Sequence, residues 1–461
     1  MTDVRVLMIT IGYPPDEIGG TEVYVSGLVD ALKAHGCTAE VAYVSETPSG
    51  DDIAVRSEVR GRTPVHCVVV PRSRFRLETV LFDEPLRNKV IDAFRSVIRD
   101  RRPDVVHMHP LQLGLEAYLL EALKADGRTL VLTYHSSTTS CARGDLVRFG
   151  RRACDGVIRQ IACTECLLHS RGVPRPLAGV LARLPLGWYR AGYGRIRLRT
   201  LNKVKALCSL PLVVEARRGC WTRAMTASDR VVAVCEWVKA VCLSNGVPER
   251  KLVVSRHGLR FSPPRTAFAA SPVVRFGYLG RLSPEKGIGV LIAAVESLDR
   301  GLPFEIEFVS ATIEARRVTA EEQQVIQQLR GAAGRDPRLR ILGAVADDRL
   351  TATIAAWDAM IVPSLWFESG PQVIYEAFAA GTPVIGSRRG GIAELVTEGE
   401  TGFLFEPGDS RALAALVARF AADPAPLRAL RSQIPPVRTT ADVAADMVGI
   451  YRSLVKEHVA V

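Results

Sequence analysis

Short apolar runs alternate with helical patterns along this chain, and they do so twice over. No other feature restricts the possible folds as much. Val4–Thr10, Thr129–Thr133, Val231–Val234, Val273–Leu279, Phe304–Val309 and Ala359–Val362 are continuous apolar stretches, the form taken by strands buried on both faces. Between them apolar residues recur at helical spacing, as at Val25, Leu28, Val29 and Leu32. Strand and helix in repeated alternation imply a parallel sheet with helices on both faces. A chain of 461 residues is more than one such core accommodates. The expected fold is therefore α/β, with two doubly wound Rossmann-like domains facing a cleft. The Pro-rich stretch 262–272, SPPRTAFAASP, reads as the linker. That leaves 1–261 as the first domain, 273–440 as the second, and 441–461 as a C-terminal helix.

The apolar share of 48% and charged share of 24% are those of a globular enzyme and exclude a disordered or fibrous chain. No uncharged apolar run approaches the ~18 residues of a membrane span. The opening MTDVRVLMIT runs directly into a strand and lacks a cleavable leader pattern, so a cytoplasmic protein is expected. Its ten cysteines then read as thiols or metal ligands rather than disulfides.

The richest stretch for chemistry is WFESGPQVIYEAFAAGTPVIGSRRGGIAELVTEGETGFLF, residues 366–405. Glu368 lies just before a short helix and Glu376 within it. Gly370 and Pro371 suit the helix start, and Gly381 and Pro383 its end. A helix N-terminus beyond a strand presents free N–H groups to a phosphate, and the two carboxylates suit sugar and ribose hydroxyls. Gly390 and Gly391 would let backbone approach a nucleotide. Arg281 and Lys286 follow the strand that ends near Gly280, placing two cations where a diphosphate could sit. Gly19 and Gly20 follow the first strand and precede a helix with Thr21 as the expected cap. His135 follows TLVLTY at a strand end; His107 and His109 follow another strand and read as supporting groups.

Four blocks resemble family-4 retaining glycosyltransferases of the GT-B fold, in that family's order. They are VRVLMITIGYPPDEIGGTEVYVSGLVDALKAHG, FGYLGRLSPEKGIGVLI, VPSLWFESGPQVIYEAFAAGTPVI and GGIAELVTEGETGFLF. The resemblance implies an acceptor-side first domain, a nucleotide-sugar-binding second domain, and a C-terminal helix, 441–461, that crosses back to the first. It implies transfer of a sugar from a nucleotide-diphosphate donor to an acceptor with retention of configuration. The acceptor would be a sugar or a lipid-linked molecule, in cell-surface polysaccharide or glycoconjugate synthesis. Arg281 and Lys286 would hold the departing diphosphate, Glu368 and His135 the donor sugar, and Glu376 the ribose. No metal or other cofactor is required for the transfer. The chain departs from the family pattern at Arg256-His257-Gly258, where Asn-Gly is more usual, and at Cys235, where Ser is. A GT-B nucleotide-sugar epimerase, or a non-catalytic module binding nucleotide sugar or membrane, would share much of this pattern.

Residues 143–223 hold seventeen Arg and Lys against four Asp and Glu, an excess of thirteen, while the whole chain carries +11. Strand–helix rhythm lapses from about 141 to 223, marking a basic, cysteine-rich insertion. Within WYRAGYGRIRLRTLNKVKAL, one helix is expected with Tyr189, Tyr193, Ile196, Val204 and Leu207 on a stripe. Arg190, Arg195, Arg197, Arg199, Lys203 and Lys205 surround it. Such a helix either lies on an anionic membrane, on the inner face, or packs on its own domain. No nucleic-acid motif accompanies the charge. Cys141, Cys154, Cys163 and Cys166 place four cysteines in 26 residues as C-x12-C-x8-C-x2-C. They read as a structural zinc site, an iron–sulfur site, or reduced core thiols.

Overall fold

A computed structural model gives the fold and describes residues 3–16, 19–47, 52–71, 83–111, 114–195, 202–260, 268–315 and 318–459. Two compact units emerge, one of residues 1–256 with 440–461 and one of residues 257–439.

The first unit contains β1 (Val4–Thr10), β2 (Cys37–Thr47), β3 (Ala54–Arg60), β4 (Thr63–Pro71), β5 (Val105–Met108) and β6 (Leu130–Tyr134). A two-stranded ribbon follows, β7 (Val147–Arg148) and β8 (Arg152–Ala153), then β9 (Arg230–Ala233) and β10 (Leu252–Val254). The main sheet runs β10-β9-β6-β5-β1-β2-β4-β3. Its ladders are parallel except β3 against β4. Strand direction of growth reverses between β1 and β5, so the crevice beyond their carboxyl ends is where a ligand is expected. The helix Thr440–Val459 contributes Val443, Met447, Tyr451 and Leu454 to the core that also holds Val25, Leu28 and Leu32 of the helix Gly20–Ala34.

Between β6 and β9, which pair directly, the chain makes a long excursion. It comprises the β7–β8 ribbon and the helices Gln160–Ser170, Arg175–Leu181, Leu186–Arg195 and Asn202–Ala227. The single helix expected over residues 188–207 falls in part outside the described residues. Helix is described through Leu186–Arg195 and again from Asn202; Ile196, Arg197 and Arg199 lie outside the described residues, as do the side chains of Arg195, Lys203, Val204 and Lys205. Tyr189 turns inward, donating its hydroxyl hydrogen to the Leu181 carbonyl.

The second unit carries β11 (Val274–Leu279), β12 (Phe304–Val309), β13 (Leu339–Gly343), β14 (Ala359–Val362), β15 (Val384–Ser387) and β16 (Gly402–Phe405). Its order is β13-β12-β11-β14-β15-β16, all parallel. Here the reversal falls between β11 and β14, where Phe276 pairs with Ala359. Phe276, Phe304, Ile306, Phe308, Leu329 and Phe420 fill the core on one face; Trp357, Met360, Ile374 and Ile392 fill it on the other.

Candidate active site

In the second unit the loops after β11 and β14 meet at the reversal point. The turn Pro284–Lys286 ends at Gly287, whose φ of +76° is left-handed. A Cβ on Gly287 would lie 1.9 Å from the Pro363 carbonyl oxygen, so only glycine permits this approach. The Leu365 N–H also donates to the Glu285 carbonyl at 2.8 Å. Tied in this way, the two loops bring Lys286 Nζ to 2.6 Å from Glu368 Oε1 across 82 positions of sequence. Ser364 Oγ donates to the same oxygen at 2.9 Å, and the ammonium stands over the Trp366 ring at 5.4 Å from its centre.

Glu368 is buried. Burial pushes its carboxyl up, but the Lys286 charge and the hydrogen bonds from Lys286 and Ser364 outweigh that and hold it below its ordinary value. It is therefore a buried carboxylate that remains ionised. Its main chain is fixed as well, because the Gly391 N–H donates to the Glu368 carbonyl at 2.6 Å. Cβ atoms on Gly390 or Gly391 would fall 2.8 and 2.9 Å from that carbonyl. The glycine pair expected to admit a nucleotide thus has a packing task of its own.

Arg281, 62% exposed, pairs loosely with Glu285 at 3.6 Å and Glu322 at 4.0 Å. Its carbonyl accepts from the Tyr278 hydroxyl at 2.6 Å, which anchors the backbone and leaves the guanidinium in solvent. Glu376 is half-buried on the helix Gln372–Ala379. Pro371 is that helix's cap rather than its first residue. The Gly370 carbonyl lies 3.2 Å from His257 Nδ1, and burial depresses the His257 imidazole to about 4, so it is neutral at pH 7.

In the first unit, His109 follows β5 and His135 follows β6. His109 Nδ1 lies 2.8 Å from His135 Nε2. The His135 ring meets Tyr24 edge-on at 4.8 Å between centres. His107 stacks on His109 at 4.5 Å and bonds Tyr451 Oη and Thr133 Oγ1, each at 2.6 Å. Burial lowers the His107 imidazole to about 3. The expected active-site histidine is therefore the outer end of a buried row of three rings. Gly19 caps the helix Gly20–Ala34 through its carbonyl, with no side-chain cap, so Thr21 does not serve as expected. A Cβ on Gly19 would meet the Glu22 carboxylate at 2.5 Å; at Gly20 it would meet open space.

All four clustered cysteines line one cavity of about 200 Å³ in the excursion, and all are free thiols. As they stand, no three metal-binding side chains are gathered closely enough to hold an ion among the described residues. None of the described helices is long and apolar enough to cross a membrane. Sequence reading did not find Gly287, Ser364 or Trp366. The Lys-Gly dipeptide after a strand was the available signal for the first.

Two doubly wound units, one with a Lys–Glu ion pair at its reversal point, are the architecture of the GT-B fold. A family model described as Glycosyl transferases group 1 matches residues 270–434; one described as Glycosyltransferase Family 4 matches residues 18–176. Glycogen synthase of Mycobacterium tuberculosis is 34% identical over 437 residues, 92% of this chain and 87% of that protein. Phosphatidyl-myo-inositol mannosyltransferase of Mycobacterium leprae is 26% identical over 408 residues, covering 88% and 85%. The colanic acid biosynthesis glycosyltransferase WcaL of Escherichia coli, itself a putative assignment, is 31% identical over 185 residues; these span 38% of this chain and only 43% of that one. The catalytic domain of starch synthase IV from Arabidopsis thaliana, solved with ADP and acarbose, shares the fold at a TM-score of 0.61 and 16% identity, covering 99% of this chain and 100% of that one. The chain belongs to the family-4 GT-B glycosyltransferases.

Proposed function

We propose that this enzyme is a retaining glycosyltransferase that moves a sugar from a nucleoside-diphosphate donor to a lipid-linked acceptor in polysaccharide or glycoconjugate synthesis. The observation that carries the donor assignment is the Lys286–Glu368 pair at the β11/β14 reversal. Lys286 and Arg281 stabilise charge on the departing diphosphate, together with the helix that follows Gly370. Glu368 accepts from sugar hydroxyls and Glu376 from the ribose, and the His135 imidazole is assigned a sugar contact. The nucleoside diphosphate in the starch synthase relative supports the donor class.

Two features support a lipid-linked acceptor held at an anionic membrane. The mannosyltransferase relative is named for a phosphatidyl-inositol acceptor. The excursion also joins its excess positive charge to exposed apolar side chains: Ile161 is 47% exposed, Leu177 50%, Val180 62% and Trp188 68%. Aromatic and aliphatic groups flanked by arginine suit a lipid headgroup boundary.

Thermal shift against UDP-, GDP-, ADP- and TDP-sugars tests the donor. One or more should raise the melting temperature, and failure of all four would refute the assignment. The anomeric configuration of the product, read by NMR, tests retention. Sedimentation with anionic vesicles at low salt, abolished by high salt, tests the membrane reading. A protein that ignores such vesicles removes that part alone.

A further inference from the structure

The excursion holds a cluster that sugar transfer does not use. Cys141 follows β6 by seven residues, Cys154 follows β8, and Cys163 and Cys166 sit one turn apart on the helix Gln160–Ser170. Three separate pieces of chain thus bring their cysteines to the wall of one cavity of about 200 Å³. Four thiols in 26 residues, contributed by a loop, a ribbon and a helix, are not explained by packing alone.

The local backbone is shaped around these sulfurs. Leu146 and Phe149 are non-glycine residues with positive φ, 54° and 55°, and Gly144, Gly150 and Gly156 are left-handed at 89°, 70° and 72°. Such a density of left-handed residues is costly unless the surroundings over-determine it. One result is that the Phe149 N–H donates to Cys166 Sγ at 3.3 Å. The Cys163 thiol donates to the Val157 carbonyl at 3.8 Å and the Cys154 thiol to Asp155 Oδ1 at 3.9 Å. Main-chain N–H groups aimed at cysteine sulfur stabilise negative charge there and orient metal-bound thiolates.

We infer that Cys141, Cys154, Cys163 and Cys166 form a tetrahedral zinc site that clips the β7–β8 ribbon and the loop after β6 to the helix Gln160–Ser170. The thiols now ring the cavity without converging. Rotation about χ1 swings a cysteine sulfur by roughly 3 Å, the sweep set by staggered rotamers, and inward movement of that order is what metal binding would require here. Binding converts four thiols to thiolates and releases four protons to solvent. The site then carries a net charge of two negative units. Arg143, Arg148 and Arg159 line the same wall and offset it in part, since Asp155 lines it too. Two of them are held in place by Asp145 and Asp155, at 2.7 Å each.

Elemental analysis of the full-length protein, purified without a histidine tag, should find about one zinc per chain. X-ray absorption should give a shell of four sulfurs at about 2.3 Å. Cys163→Ser and Cys166→Ser should each lower zinc content at least tenfold, while Cys208→Ser, which lies outside the cavity, should keep it. Should the two site variants fail to fold, an organomercurial titration of the wild type decides, releasing one zinc per chain into a colorimetric indicator. Iron with acid-labile sulfide and visible absorption would overturn the inference. So would a metal-free protein that ignores added zinc, or a disulfide among these four residues.

Discussion

Breaking the Lys286–Glu368 pair from each side should show that its members act together. In Lys286→Met the ammonium is lost and a buried carboxylate keeps the Ser364 hydroxyl without its counter-charge. Removing one partner of a buried pair costs about 3–5 kcal/mol. Lys286 is 22% exposed, so water screens the pair in part, and about 3 kcal/mol is the expected loss. Glu368→Gln keeps an acceptor for Ser364 and leaves a lysine with some access to water, so about 2 kcal/mol is expected. The double variant should lose less than the sum, with a coupling of about 1–3 kcal/mol, because each single change has already removed the interaction. Denaturant unfolding at pH 7 measures this, read on the transition of the second unit. Glu368 lies below its ordinary value in the fold, so the pair's contribution is complete above about pH 4.3, the unfolded value. It is lost as pH falls through the lower folded value. The coupling should therefore survive at pH 5. Both single variants should also lose about 10²–10³-fold in turnover. Additivity within 0.5 kcal/mol would refute the reasoning, whatever the kinetics.

Arg281→Ala should lose a similar 10²–10³-fold in turnover yet change stability by under ~0.5 kcal/mol, because its ion contacts are long and exposed; unchanged turnover would remove it from the site. Glu376→Ala should weaken donor binding and raise KM more than it lowers kcat, since a ribose contact is made in ground and transition states alike; calorimetric titration showing equal affinity would refute the ribose role. Acid should loosen both units separately. His107 at about 3 and His257 at about 4 stand below the unfolded value of ~6.5, so each contributes stability that is full above that value and declines as pH falls. From pH 7 to 5 the loss should be about 2 kcal/mol for each, and flat stability across that range would contradict the burial of these rings.

Strands were the most legible part of this chain. β1, β12 and β14 span the apolar runs residue for residue, and β6, β9 and β11 lie within one residue of theirs. Strands covered on both faces must be apolar throughout, and continuous runs are hard to misplace. β3, with the sequence AVRSEVR and an exposed surface along nearly its whole length, leaves no such trace. The basic stretch after Trp188 is less legible for a related reason. A helical stripe records which residues share a face, not what covers that face, and Tyr189 is engaged by Leu181 of the preceding helix. The site was legible as a set of residue types at strand ends. Its wiring was not, because Lys286 meets Glu368 only through the adjacency of β11 and β14, and His109 meets His135 only through that of β5 and β6.

That wiring bears on how the proposed chemistry could work. A lysine awaiting a diphosphate has to be held in place with no ligand present. Glu368 does this, and Ser364 and the Gly391 N–H hold Glu368 itself. An incoming donor then exchanges one anionic partner of Lys286 for another, or shares it. Donor affinity gains little from such an exchange, whereas charge growing on the diphosphate as the glycosidic bond breaks meets a cation already in place. Interactions that strengthen only as charge develops raise turnover more than binding. On this reasoning Lys286 belongs to the transition state and exposed Arg281 to capture of the ground state as well, so the two cations should separate in kinetics: Lys286→Met chiefly in kcat, Arg281→Ala in KM and kcat together.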